Sequence, residues 1–196
     1  MLVWIDCEMT GLDVTRDALI EVAVLVTDAQ LNVLGDGLDL VISTPEEKLA
    51  VMGDFVREMH TKSGLVDEIR ASATTMDDAQ RQILAYVKRY VPAAGRAPLA
   101  GNTIGTDRAF LARDMPLLID YLHYRNVDVS TIKELARRWY PRTFFQAPEK
   151  HGNHRALADI RESIQELRYY RAAVFVPQPG LTSDEARALA SLLPTP

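Results

Sequence analysis

The chain has 196 residues, of which 47% are hydrophobic and 25% are charged, as is typical of a globular domain. This composition argues against a disordered or fibrous chain. The net charge of −5 argues against a non-specific binder of long duplexes, because such binding depends on many lysine and arginine contacts to phosphates. A single cysteine, Cys7, excludes an intrachain disulfide and a cysteine-based zinc site. No leader or long apolar segment is evident, so we expect a cytoplasmic protein without membrane contact.

The first half of the chain predicts strands followed by helices. Residues 2–7 are a short apolar run, residues 19–27 are rich in β-branched side chains, and residues 33–42 supply a third strand. After Pro45 the pattern becomes helical. An amphipathic helix is expected at residues 75–90, where apolar side chains recur every three or four positions.

The second half alternates strands and helices. Strands are expected at residues 98–101 and 127–129, and helices at residues 103–113, 130–139 and 156–172, the second of them capped by Ser130. This order predicts an α/β fold with a sheet that is antiparallel at one end and parallel at the other. The predicted domain covers residues 1–173, and residues 174–196 form a tail with one short helix behind a capping box that begins at Thr182.

Two carboxylates stand at the end of the first predicted strand, in the pattern Asp6-x-Glu8. Side chains two residues apart on a strand share one face, so both are expected to point to the same place. Like charges held this close repel each other, and a bound divalent cation relieves the repulsion. Taken alone, an Asp-x-Glu pair is most often a solvated strand end.

Three further residues extend this candidate set. Asp107 lies at the start of a helix that follows a strand, and His154 and Asp159 form a His-x4-Asp pattern where the last long helix begins. Each of them alone is typical of a structural residue near a helix N-terminus. Together with Asp6 and Glu8, they offer hard oxygen ligands for two Mg²⁺ or Mn²⁺ ions and a histidine that can take a proton from water.

The order of these motifs resembles the DEDDh exonucleases of the RNase H-like fold, and among them the oligoribonuclease family. The resemblance rests on residues 4–12, 101–108, 123–131 and 154–163, and it covers residues 2–172. It implies a mixed five-stranded sheet flanked by helices. It also implies a homodimeric, metal-dependent 3′-to-5′ exoribonuclease that degrades short RNAs, from dinucleotides to about pentanucleotides, to nucleoside 5′-monophosphates.

The resemblance also implies a role for each site residue. Two divalent cations, Mg²⁺ or Mn²⁺, would be held by Asp6, Glu8, Asp107 and Asp159, and His154 would be the general base. Leu12 would wedge against the bases, and Phe55 would stack on the 3′ base where the family commonly has tryptophan. Arg125, Ser130 and Thr131 would cap the 5′ phosphate, with Tyr124 and His60 nearby, and some of these residues would reach across a dimer. Thr103 is a further substrate-binding candidate.

Two alternative functions remain open. A proofreading-type DNA exonuclease of the same superfamily would share the acids, but residues 123–131 resemble a cap on a 5′ end that a long strand could not enter. A non-catalytic nucleotide-binding module would have no need to hold so much repulsive charge. Incubation with a dinucleotide and Mn²⁺ separates an enzyme from such a module.

Overall fold

The computed structural model describes residues 1–149 and 155–193. Five strands form one sheet in the order β3-β2-β1-β4-β5. The strands are β1 (Leu2–Met9), β2 (Leu19–Thr27), β3 (Val33–Val41), β4 (Pro98–Gly101) and β5 (His123–Asp128). β2 pairs antiparallel with β1 and β3, whereas β4 pairs parallel with β1 and β5. The predicted mixed sheet is therefore confirmed.

Helices cover both faces of this sheet. They are α1 (Glu46–Ala50), α2 (Asp54–Lys62), α3 (Leu65–Ala71), α4 (Met76–Tyr90), α5 (Ile104–Asp114), α6 (Pro116–Tyr121), α7 (Val129–Trp139), α8 (Pro141–Phe145), α9 (Ala156–Val174) and α10 (Ser183–Ser191). The structure confirms the predicted helices at α4, α5 and α9, and the capping box at Thr182. Over residues 1–149 and 155–193, no helix combines the length and apolar character needed to cross a bilayer.

Strand β1 separates two hydrophobic clusters, because its side chains alternate between the faces of the sheet. Val3, Ile5 and Cys7 join the cluster that contains residues of α4 and α5. Trp4 joins the other cluster, which contains residues of α9, and its indole N–H donates to Thr27 Oγ1 at 3.0 Å. By the same alternation, the even-numbered acids of β1 lie on the face that α9 covers.

Two local predictions are wrong, and each has a physical reason. β5 begins at His123, four residues before the predicted strand, because edge strands carry polar residues and lack the apolar pattern of a central strand. Helix α7 is capped by Asp128 and not by Ser130, since the Asp128 carboxylate accepts the Ser130 backbone N–H at 2.9 Å. A carboxylate at this position also interacts favourably with the helix dipole.

Candidate active site

Three carboxylates meet where β1 passes beneath the start of α9. Asp6 and Glu8 project from β1, and Asp159 lies in the first turn of α9. The three offer oxygen atoms that all lie within 4.8 Å of one another. The backbone N–H of Asp159 donates to the Arg155 carbonyl oxygen at 3.0 Å, which fixes the first turn of the helix. The strand period and the helix start therefore bring together acids from distant parts of the chain.

The fourth predicted acid, Asp107, lies against the same segment of β1. It belongs to the first turn of α5 and is buried. Its Oδ1 accepts the backbone N–H of Cys7 at 3.0 Å, and Cys7 is the residue between the two acids of β1. The Cys7 side chain itself is a free thiol in the core.

The two side chains that are predicted to contact the bases of a substrate, Leu12 and Phe55, are both exposed. Leu12 is 77% exposed in the loop after β1, and Phe55 is 77% exposed on α2. The loop is closed by a hydrogen bond from the Thr10 N–H to the Ala18 carbonyl oxygen at 2.9 Å. A Cβ atom at Gly11 would lie 2.2 Å from Asp17 Oδ2, so any larger residue at this position would displace the Asp17 carboxylate.

Thr103, Asp128 and Ser130 form a compact group that we call the hydroxyl cluster. Thr103 precedes α5 with a φ of 53°, a left-handed conformation that is uncommon for a residue other than glycine. Its backbone N–H donates to Asp128 Oδ1 and to Ser130 Oγ, both at 3.0 Å. The two hydroxyl oxygens lie 3.2 Å apart. The structure thus brings together Thr103, a predicted substrate-binding residue, and Ser130, which is predicted to cap the 5′ phosphate.

The other predicted 5′-phosphate residues are distributed as follows. Tyr124 and Arg125 are exposed on β5, with the guanidinium 5.4 Å from the centre of the tyrosine ring, and Thr131 is exposed on α7. His60, in contrast, is completely buried, with Nε2 3.0 Å from the Met9 carbonyl oxygen and 3.9 Å from Glu8 Oε2. It offers no surface to a substrate in this conformation and instead supports β1 beside Glu8.

His154 lies outside the described residues, so its role as general base stays a prediction. Arg155, which follows it, is the residue before α9.

Sequence comparisons identify the family of the chain. The sequence model of the Exonuclease family matches residues 3–167. The chain is 66% identical over 190 residues to an oligoribonuclease of Streptomyces coelicolor, with 97% of this chain and 94% of that protein covered. The chain belongs to the oligoribonuclease family of exonucleases. It is also 61% identical to an oligoribonuclease of Rhodococcus jostii, with 98% of each chain covered.

Solved structures with a similar fold include exonuclease I enzymes. Exonuclease I of Methylocaldum szegediense superimposes with a TM-score of 0.66 at 18% identity, covering 88% of this chain. E. coli exonuclease I in complex with an oligonucleotide gives a TM-score of 0.63 at 13% identity, covering 87% of this chain. This chain spans 40% of the length of each of them. The likeness confirms the RNase H-like exonuclease fold.

The carboxylates of this oligoribonuclease-family site repel one another. Burial, followed by the charges of Asp107 and Glu8, raises the pKa of Asp6 from 3.8 to about 9. Burial, followed by the charges of Glu21 and Asp159, raises the pKa of Glu8 from 4.5 to about 8. Burial also raises the pKa of Asp107 to about 6, although hydrogen bonds from backbone N–H groups oppose the rise.

These residues fit a divalent cation. A cluster of carboxylates supplies the hard oxygen ligands that Mg²⁺ and Mn²⁺ prefer. The raised pKa values show that negative charge is unfavourable in this site without a compensating positive charge. A cation that displaces the protons would supply that charge, and its affinity would rise with pH.

Sequence reasoning missed the ion pairs that hold the start of α9. The Arg155 guanidinium donates to Glu21 Oε1 at 3.3 Å and to the two carboxylate oxygens of Glu68 at 2.7 and 2.9 Å. Glu21 is completely buried in β2, directly opposite Glu8. An acid inside an otherwise apolar strand indicates a buried ion pair, because a buried charge requires a partner of opposite charge. The sequence does not identify which basic side chain is that partner.

Proposed function

We propose that this chain removes nucleotides from the 3′ end of very short RNAs, dinucleotides above all, and releases nucleoside 5′-monophosphates. The observation that carries the proposal is the grouping of Asp6, Glu8 and Asp159 within 4.8 Å. The chain's 66% identity to an oligoribonuclease over nearly its full length supports the choice of substrate.

The four acids would hold two divalent cations, Mg²⁺ or Mn²⁺. Asp6, Glu8 and Asp159 would supply the clustered carboxylate ligands, and Asp107 would complete the set from α5. Bound there, the cations would supply positive charge at the attacking and leaving oxygens of a phosphodiester. We assign to His154 the role of general base, in which a neutral imidazole nitrogen accepts a proton from the attacking water.

Recognition of both ends of the substrate would explain a preference for short RNA. The exposed side chains of Leu12 and Phe55 would contact the bases, and an aromatic ring offers a face for stacking. Arg125 would bind the 5′ phosphate through its planar guanidinium. The hydroxyls of Thr103 and Thr131 would add hydrogen bonds, with Tyr124 and Ser130 alongside. A long strand would have no 5′ phosphate within reach of this group.

We further propose that the enzyme is a homodimer that works in the cytoplasm, where short RNA fragments arise. β5 is an edge strand of the sheet, and the aromatic rings of Tyr124, Trp139 and Phe145 are exposed. A second copy of the chain would cover these apolar surfaces. Sedimentation equilibrium tests this part of the proposal, since a purely monomeric protein at micromolar concentration would contradict it.

A digestion series tests the substrate class and the direction of cleavage. The substrates are 5′-labelled RNAs from a dinucleotide to a decanucleotide, incubated with Mn²⁺, with a DNA dinucleotide for comparison. We expect the 5′-phosphorylated RNA dinucleotide to be cleaved fastest and the rate to fall with each added nucleotide. Intermediates should keep the 5′ label. Equal rates on the decanucleotide and the dinucleotide, or release of the label in the first step, would contradict the proposal.

A further inference from the structure

Asn102 follows β4, and its side chain joins two parts of the site that are distant in sequence. Its Oδ1 accepts the Ser130 hydroxyl at 3.0 Å. Its Nδ2 donates to Ser163 Oγ at 2.8 Å and to Glu166 Oε2 at 3.1 Å. Ser163 and Glu166 are buried residues of α9. One amide therefore contacts both the hydroxyl cluster and the helix that carries Asp159.

The partners of Asn102 determine which way its amide faces. Glu166 forms an ion pair with Lys133 at 3.1 Å, and an ionised carboxylate only accepts hydrogen bonds. The amide nitrogen must therefore face Glu166, which leaves the amide oxygen facing Ser130. The single hydroxyl proton of Ser130 is donated to Asn102, so the Ser130 oxygen is free to accept the backbone N–H of Thr103.

The hydrogen bonds continue from Asn102 to the carboxylate site. Ser163 Oγ accepts a proton from Asn102 and donates its own to the Asp159 carbonyl oxygen at 2.8 Å. An unbroken series of hydrogen bonds thus runs from Thr103 through Ser130, Asn102 and Ser163 to the backbone of Asp159. Each bond in the series is between 2.8 and 3.0 Å long.

We infer that Asn102 is a positioning residue for recognition of the substrate's 5′ phosphate, which holds the hydroxyl cluster at a fixed distance from Asp159. Thr103 supports this role, because its left-handed backbone is strained and is retained by N–H bonds to the cluster. Without Asn102, Ser130 loses the acceptor that orients its hydroxyl, and Thr103 loses a fixed partner. The inference rests on the proposed function, since it assigns the cluster to the 5′ phosphate of a short RNA.

The test compares two substrates that differ only at the 5′ end, a dinucleotide with a 5′ phosphate and the same dinucleotide with a 5′ hydroxyl. In Asn102→Ala, we expect KM for the 5′-phosphorylated substrate to rise about tenfold, the factor carried by one ordinary hydrogen bond. KM for the 5′-hydroxyl substrate and kcat for both should change little. Gln165→Ala, at an exposed position of α9, is the matched control and should behave as wild type.

A pair of further variants separates positioning from a general loss of structure. Asn102→Asp places a second carboxylate beside Glu166, so it should lose the 5′-phosphate effect and lower the Tm. Adding Glu166→Gln restores a hydrogen bond between positions 102 and 166, because the glutamine amide N–H can donate to the carboxylate introduced at position 102. We expect the double variant to recover only part of the KM difference between the two substrates, because Ser163 Oγ, whose proton is donated to the Asp159 carbonyl oxygen, still faces the new carboxylate as an acceptor.

The outcomes distinguish this inference from the proposed function. If wild type itself shows no KM difference between the two substrates, the proposed recognition of the 5′ phosphate fails. If wild type shows the difference and Asn102→Ala raises both KM values equally, or leaves the difference intact, the role of Asn102 is refuted. A double variant that folds but remains as impaired as Asn102→Asp also contradicts the role.

Discussion

Replacing Asp6 by asparagine is expected to stabilise the metal-free protein while abolishing its activity. The pKa of Asp6 is raised from 3.8 to about 9, first by burial and then by the charges of Asp107 and Glu8. Between these two pH values the folded chain holds a proton that the unfolded chain has released. The free energy of unfolding therefore falls as pH rises through this window. Asparagine has nearly the same size and carries no charge, so the variant lacks this dependence.

The magnitude follows from the width of the window. Where the folded chain binds one more proton than the unfolded chain, the free energy of unfolding falls by about 1.4 kcal/mol for each unit of pH. From the unfolded pKa of 3.8 up to pH 7, this gives an upper bound of about 4 kcal/mol for Asp6. Burying the asparagine amide offsets part of the gain, which leaves about 2–4 kcal/mol. For a chain of this size, that corresponds to a Tm rise of about 5–15 °C.

Thermal unfolding in EDTA at pH 5, 7 and 9 provides the assay. The Tm difference between Asp6→Asn and wild type should be small at pH 5 and grow as the pH rises. Mn²⁺ should raise the Tm of wild type and have much less effect on the variant. Asp120→Asn is the control, because Asp120 is exposed on α6. A variant that melts below wild type at pH 7, or a Tm difference independent of pH, would refute the reasoning.

Four further outcomes are expected. Because the pKa values of Asp6 and Glu8 lie above 7, Mn²⁺ binding at pH 7 should release protons, and binding above pH 9 should release fewer. Calorimetry in buffers of different ionisation enthalpy measures the number of protons released. His154→Ala should slow cleavage by about 10²–10⁴-fold with little change in Mn²⁺ affinity, and lost metal binding would instead make His154 a ligand. Arg155→Met leaves Glu21 buried without its cation and should lower the free energy of unfolding in urea by about 3 kcal/mol, whereas an unchanged value would show that the ion pair is unimportant. Phe55→Ala should raise KM by about tenfold or more and Phe55→Trp should not, and equal KM values would exclude base stacking.

The central elements of the fold could be predicted because their signals are local. β2 is a run of apolar and β-branched residues, and the apolar side chains of α4 recur at helical spacing. β5 could not be delimited, because an edge strand is stabilised by pairing with β4 and not by its own pattern. The short helices α1 to α3 were expected only as a helical region after Pro45, since each is too short to show a clear period.

The same distinction applies to the site. The shared face of Asp6 and Glu8 follows from the strand period, which is a local property. The contacts around them are not local: Arg155 and Glu21 are 134 residues apart, and Asn102 and Ser163 are 61 apart. Their meeting depends on the packing of α9 across the sheet. The resemblance placed His60 near the 5′ phosphate, whereas the structure buries its side chain completely, and a sequence motif carries no information about burial.

The most direct test of the central claim is the rate at which Asp159→Asn cleaves a 5′-phosphorylated RNA dinucleotide with Mn²⁺ under single-turnover conditions. Wild type and Asp120→Asn should convert the dinucleotide to nucleoside 5′-monophosphates. Asp159→Asn should retain its Tm in EDTA and cleave at least about a thousandfold more slowly, because charge stabilisation by bound cations is worth several kcal/mol. A folded Asp159→Asn that cleaves at the wild-type rate would contradict the assignment of the carboxylate cluster as the catalytic centre.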